Sequence, residues 1–136
     1  MASNPETRFG KRFRKKLPNG HDIRVENPAH PGTPDLNACI NGIEFWVEFK
    51  QVESFPKLSD TPVFSGCLKP HQALWHLKRS QAGGRSFIVA GVLKEDITYI
   101  IPGKHAMEFN VLPRSRLDEL TIPLESIWSP NVPNQV

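Results

Sequence analysis

Asn41-Gly42 stands between two strand-like runs, Asp35 to Ile40 and Ile43 to Gln51, and it restricts the fold more than any other dipeptide in the chain. A type I′ turn needs positive φ at both central residues, which Asn and Gly accept at low cost, and its twist suits an antiparallel strand pair. A two-residue hairpin is therefore predicted. Such a turn sets the register, because positions whose numbers sum to 83 then face each other. Ile40 faces Ile43, Ala38 faces Phe45, and Asp35 faces Glu48.

That register carries a chemical consequence. Directly opposed residues have Cβ atoms roughly 4.5–5.5 Å apart, and two like charges so placed destabilise the sheet unless a cation lies between them. Lys50, two residues beyond Glu48, projects from the same face of its strand. One face thus gathers Asp35, Glu48 and Lys50. Mg²⁺ is a hard cation that often takes only one or two carboxylates from a protein and keeps waters for substrate and nucleophile. A lysine beside it can orient or deprotonate the attacking water, or offset charge on a phosphoryl transition state. For a single acid–lysine pair a salt bridge at a sheet end is the ordinary alternative. Here the charges interrupt an otherwise apolar strand of Ile43, Phe45, Trp46, Val47 and Phe49, where they are costly unless paired or metal-bound.

Around the hairpin, hydrophobic periodicity predicts the remaining elements. Ser3-Asn4-Pro5-Glu6 reads as a capping box that opens a helix running to about Leu17, before Pro18-Asn19-Gly20. Glu6, Phe9, Phe13 and Leu17 fall within about 80° on its wheel, with Arg8, Lys11, Arg12 and Lys15 on the far side. His21 to Asn27 alternates as a strand with Ile23 and Val25 on one face, followed by an irregular Pro-rich loop up to Pro34. A loop from Val52 to Cys67 precedes a helix from about Pro70 to Ala82, with an apolar stripe of Ala73, Leu74, Leu77 and Gln81 and a stop at Gly83-Gly84. Ser86 to Leu93 and Ile97 to Ile101 suggest a second hairpin. Beyond Pro102 the pattern weakens, and the Pro-rich end reads either as a wrapping segment or as a loose tail. The order helix, three strands, helix, two strands indicates an α/β fold on a mixed β-sheet flanked by helices.

At 136 residues the chain suits one domain over 1–136, with a core at about 3–101 and residues 102–136 as a C-terminal extension. No apolar run approaches the ~20 residues of a membrane span. Cys39 and Cys67 lack CxxC spacing and the five histidines form no HExxH, so neither a disulfide framework nor a zinc site is indicated. The default setting is a reducing cytoplasm, the host's if the chain is phage-encoded. A net charge of +3 with a pI near 9.0 is weak support for a polyanionic partner, but its distribution is more informative. Arg8, Lys11, Arg12, Arg14, Lys15 and Lys16 crowd the first helix, and Lys78, Arg79 and Arg85 form a second group. A solvated face would account for such runs equally well.

Gly32-Thr33-Pro34-Asp35-Leu36, Phe45-Trp46-Val47-Glu48-Phe49-Lys50, Leu68-Lys69-Pro70-His71-Gln72 and Gly83-Gly84-Arg85-Ser86-Phe87-Ile88-Val89 together resemble the PD-(D/E)XK nuclease superfamily. The resemblance spans roughly Glu6 to Val92 and is nearest to the VRR-NUC branch and to the small Holliday junction resolvases of phages and archaea. It implies a restriction-endonuclease-like core of order α-β-β-β-α-β. It further implies Mg²⁺, with Mn²⁺ as a substitute, held by Asp35, Glu48 and the backbone carbonyl of Phe49, with Lys50 as the catalytic lysine. Glu6 corresponds to an acid that many members carry on the first helix to complete or recruit a metal position, although capping alone explains it. Gln72 matches a glutamine that would fix a water or a phosphate, unless it is an ordinary surface residue.

The function expected on this reading is a Mg²⁺-dependent DNA endonuclease, foremost a Holliday junction or branched-DNA resolvase acting as a homodimer. The basic face of the first helix would bind backbone phosphates. A nicking, flap-processing or restriction-type endonuclease is the alternative enzyme, and a non-catalytic DNA-binding protein on the same fold is the rival of another class. The 52–67 loop is a candidate substrate-contacting element. His30 could touch phosphate or be merely solvent-facing, His71 and His76 are wrongly spaced for a metal pair, and Trp75 reads as a core anchor unless exposed.

Overall fold

A computed structural model describes residues 5–25 and 30–130, with the backbone alone for residues 5–7. The hairpin forms as the turn chemistry requires: Asn41 and Gly42 take φ of 53° and 80°, and they join β2 (Leu36–Ile40) to β3 (Ile43–Val52). Ile40 pairs with Ile43, Ala38 with Phe45 and Leu36 with Val47, the register read from the turn, but β2 begins at Leu36, so the expected Asp35–Glu48 pair lies one step beyond the last strand pair.

The five strands lie in the order β1-β2-β3-β4-β5. β1 (His21–Arg24) pairs antiparallel with β2. β4 (Ser86–Val92) runs parallel to β3, and β5 (Ile97–Pro102) returns antiparallel to it. A parallel pair needs a crossover, and α2 (Pro70–Gln81) supplies it. β4 is buried at all seven positions, as befits a central strand covered on both faces. The second hairpin closes through a short 3₁₀ turn, Leu93–Glu95, and a left-handed Asp96.

Strand alternation divides the core into two layers. On one face Phe9 and Phe13 of α1 (Pro5–Lys15) pack with Leu36, Ala38, Phe45, Val47, Phe49 and Val89. On the other, Ala73 of α2 joins Val63, Phe64, Ile88, Ala90 and residues of the C-terminal segment. Gly10 lets α1 approach closely, since a Cβ there would lie 3.1 Å from the Phe49 ring.

The structure amends or resolves several expectations. β1 ends at Arg24, while residues 26–29 of its expected course lie outside the described residues. Ile23 is 47% exposed, because it pairs with Asn37 on the α2 face at the sheet edge, where it has only one neighbouring strand. Leu74, assigned to the apolar stripe of α2, is 43% exposed, and the buried positions are Ala73 and His76. The 52–67 loop is tied into the core at its end by Val63 and Phe64. The C-terminal segment is a wrap through residue 130: a 3₁₀ stretch (Gly103–Val111), α3 (Arg114–Leu120) and a last 3₁₀ turn (Leu124–Trp128) bury Phe109, Leu117 and Ile127.

Gly32 couples the loop before Asp35 to the start of α2. It has φ of 95°, and a Cβ would fall 2.5 Å from the His71 carbonyl oxygen. Gly83 has nearly the same φ, 89°, but open space around it. Gly83→Ala should therefore cost only the backbone penalty of about 1–2 kcal/mol, whereas Gly32→Ala should add roughly 1–3 kcal/mol of overpacking. Urea denaturation of the two variants tests this, and equal losses would show that the Gly32 contact with α2 is not tight.

Candidate active site

The chain enters β2 through Pro34, which is buried, and Asp35, whose backbone carbonyl accepts the Val25 N–H at 2.7 Å. One carboxylate oxygen of Asp35, Oδ2, accepts the backbone N–H of Phe49 at 2.9 Å. The Asp35 side chain thus continues the β2–β3 ladder by one step. In a strand the N–H and C=O of one residue project toward the same neighbour, so the Phe49 carbonyl also faces the Asp35 side, past the last paired residues of β2.

Glu48 and Lys50 project from the opposite face to Phe49, beneath α2. Glu48 is 1% exposed. Its Oε2 lies 3.4 Å from Lys50 Nζ and accepts the Gln72 carboxamide N–H at 3.3 Å, while its Oε1 has no hydrogen-bond partner. Burial, then the charge of Asp35, pushes the Glu48 carboxyl up to about 8 against the opposing pull of Lys50.

Gln72 owes its orientation to the helix start. Its Oε1 accepts the Lys69 N–H at 2.9 Å, satisfying an amide that a helix N-terminus leaves orphaned, and this turns the NH₂ group toward Glu48. One turn later on the same helical face sits His76, fully buried. Its Nδ1 lies 2.9 Å from Ser86 Oγ and its Nε2 is unpartnered. Burial first, and then the charge of Lys50, pushes His76 down to about 3, so the imidazole is neutral at physiological pH. Sequence reasoning considered His76 only as a zinc ligand. Its spacing of four from Gln72 was the signal that it shares the site-facing side of α2.

The structure brings together Asp35, Glu48, Lys50 and Gln72, with the Phe49 carbonyl alongside. Glu6 falls in the first turn of α1, and its side chain lies outside the described residues. Arg8, Lys11, Arg12 and Lys15 on α1, and Lys16 just after it, are exposed in the layer opposite to Glu48 and Lys50. Arg14 is paired with Asp22 at 2.7 Å. His30 and His71 are exposed, and Trp75 is half-buried. Among the described residues no group of three or more His, Cys, Asp and Glu converges. The donor set is two carboxylates and a backbone carbonyl, all oxygen, which suits Mg²⁺ or Mn²⁺ and not zinc. The unsatisfied Glu48 Oε1 and the mutual repulsion of the acids are features a divalent cation would relieve.

A raised carboxyl has a definite effect on stability. Because Glu48 moves from 4.5 to about 8, the folded chain prefers it protonated. That stability is complete below pH 4.5 and is lost as pH rises toward 8, at up to roughly 1.4 kcal/mol per pH unit. Without divalent ions, melting temperature should therefore fall across this window relative to Glu48→Gln, and Mg²⁺ should restore it at pH 8 but not at pH 5. The lowered His76 favours folding in the opposite direction and is common to both proteins. Parallel pH curves for the two would refute the assignment of Glu48 as the strained group.

In fold the chain is similar to Archaeoglobus fulgidus Hjc, a Holliday junction resolvase from an archaeal hyperthermophile, with a TM-score of 0.53, 17% identity and 73% of each chain covered. No protein-family model and no curated protein matches the chain. No helix among the described residues is long and apolar enough to cross a membrane. The mixed five-stranded sheet flanked by helices is an α/β fold of the restriction-endonuclease-like kind adopted by that resolvase.

Proposed function

We propose that this chain is a Mg²⁺-dependent DNA endonuclease, and specifically a Holliday junction or branched-DNA resolvase. The observation that carries the reading is the buried, unsatisfied Glu48 carboxyl held against Asp35 and beside Lys50. The fold shared with an archaeal resolvase supports it. The motifs around Asp35, Glu48 and Lys50 also resemble those of VRR-NUC-type nucleases and small phage and archaeal resolvases.

Asp35, Glu48 and the Phe49 carbonyl would hold the cation, with Glu6 completing or recruiting a metal position. When bound, the ion supplies charge for the non-bridging phosphate oxygens and lowers the pKa of a coordinated water. The protein's own groups do the rest. Gln72 fixes the Glu48 carboxyl through its link to the helix start, so the ligand is positioned before metal arrives. Lys50, with a side chain only 12% exposed, holds its ammonium in a dry site, where it can stabilise negative charge developing on the phosphoryl group. His76 stays neutral and adds no second cation beside it. The exposed basic residues of α1 would engage a DNA arm through its phosphates. Two symmetric nicks require two such sites, hence a homodimer.

Asp35→Asn and Glu48→Gln should each abolish Mg²⁺-dependent cleavage of labelled junction DNA while retaining binding. Lys50→Met should lower the single-turnover rate by at least about 100-fold and leave metal affinity, read by calorimetry, intact or higher. A panel of four-way junction, flap, nicked, duplex and single-stranded DNA sets the substrate class. Cleavage by Glu48→Gln at a near wild-type rate would overturn the active-site assignment, and preference for continuous duplex would overturn the resolvase reading.

A further inference from the structure

Two residues before Glu48, on the same face of β3, stands Trp46. Three residues after Gln72 along α2 stands Trp75. The two indoles meet edge to face at 5.3 Å. The Arg79 guanidinium lies over both, 4.6 Å from the Trp75 ring and 5.5 Å from Trp46. Gly84 makes room for this arrangement, since a Cβ there would lie 2.5 Å from Arg79 Cδ. Arg79 and its neighbour Lys78 have no carboxylate partner among the described residues, and Lys78 is exposed. Trp75, Lys78, Arg79, Ala82 and Gly84 line an open cleft of about 460 Å³.

A guanidinium clamped on two rings has lost most of its rotamer freedom without gaining a counter-ion. Such a group is pre-organised for an anion, and together with the rings it presents both charge and a stacking face. These cations lie on the sheet face that carries Glu48 and Lys50, whereas the basic residues of α1 lie on the other. Along β3 the step from Glu48 to Trp46 is roughly 7 Å, on the scale of one nucleotide. We infer that the Trp75–Lys78–Arg79 cleft is a second DNA subsite, which takes an unpaired nucleotide of the strand flanking the cut: its phosphate on Lys78 and Arg79, and its base against the guanidinium–indole stack. A base inside a continuous duplex is already stacked and cannot enter, so this cleft would select branched DNA that exposes an unpaired nucleotide over intact DNA. The inference rests on the nuclease reading and names what that site selects.

The test is fluorescence anisotropy in Ca²⁺, which separates binding from cleavage. It uses a continuous duplex, the same duplex with a single-stranded arm, and the armed duplex with an abasic first unpaired nucleotide. For Lys78→Gln/Arg79→Gln, affinity for the armed duplex should fall about tenfold or more, in line with losing a stacking contact and two phosphate contacts, and affinity for the continuous duplex less than about threefold. The abasic substitution should weaken the wild type and leave the double variant unchanged. Arg79→Lys keeps the charge but not the planar stack, so it should lose the abasic effect while retaining part of the affinity. Lys78→Gln alone, at an exposed position, serves where the double variant fails to fold, and it should lose affinity selectively for the armed duplex. Equal losses on both duplexes, or no loss on either, would overturn the subsite while leaving the nuclease assignment standing. Wild-type protein that binds armed DNA selectively but never cuts it, with any divalent ion, would overturn the nuclease reading and leave the subsite in place. Protein that binds no DNA at all would overturn both.

Discussion

The opposition of Asp35 and Glu48 across one hairpin is the constraint around which this fold is arranged. A two-residue turn at Asn41-Gly42 fixes the register as far as Leu36 and Val47, and Asp35, the residue just before β2, lies close enough to Glu48 for its charge to act on it. The surroundings then manage that conflict. Asp35 accepts a backbone amide of β3, Lys50 and Gln72 both reach the same oxygen of Glu48, and the remaining oxygen is left without a partner. The parallel β3–β4 pair forces a crossover, and that crossover lays α2 over this face. Gly32 lets the loop carrying Asp35 touch the α2 backbone at His71. Loop, strand and helix thus converge at one carboxyl group.

The two faces of the sheet divide the work. One is an aromatic core in which Phe9 and Phe13 pack edge-on against Phe49, and its helix presents basic residues to solvent. The other carries Glu48 Oε1, His76 Nε2 and the indole N–H of Trp46, three of the buried polar groups left without a hydrogen-bond partner among the described residues. The His76 and Ser86 pair lies deep under α2, and Gly103 closes over it, since a Cβ at Gly103 would strike Ser86 Oγ. That enclosure keeps the imidazole neutral next to Lys50. A protonated His76 would place two cations side by side in a dry site.

What could be read from the amino acids followed from locality. The hairpin, its register and the shared face of Glu48 and Lys50 depend on a dipeptide and a period of two, and all were legible. Of the three α-helices among the described residues, α1 and α2 were legible because proline, glycine and a periodic stripe mark their limits, and α3 was not. The face of α2 was less so: Leu74 is the more apolar residue, but tertiary contacts bury Ala73 and His76 instead, since the helix is rotated to bring Gln72 over Glu48. The C-terminal wrap could not be told from a loose tail, because 3₁₀ stretches such as Gly103–Val111 have no sustained amphipathic period, and Phe109, Leu117 and Ile127 find their partners only across the fold. The clamp on Arg79 escaped reading for the same reason, as Trp46, Trp75 and Gly84 come from three separate elements.

The ordinary reading of an acid–lysine pair, a structural salt bridge, makes an opposite claim about energy. A paired carboxylate is held charged, and its pKa falls below the usual value near 4.5. At Glu48 the pull of Lys50 acts in that direction but is outweighed by burial and by Asp35, and the carboxyl rises to about 8. Lys50 is therefore insufficient as a counter-charge. With two acids and one ammonium, the cluster at neutral pH either holds a proton or would accept further positive charge. A proton satisfies the charge of Glu48 but occupies one of its lone pairs. An oxygen-seeking divalent cation would satisfy both acids and could also engage the Phe49 carbonyl, which already faces the Asp35 side. Such a conflict is expected where local rules of stability are broken in favour of a site.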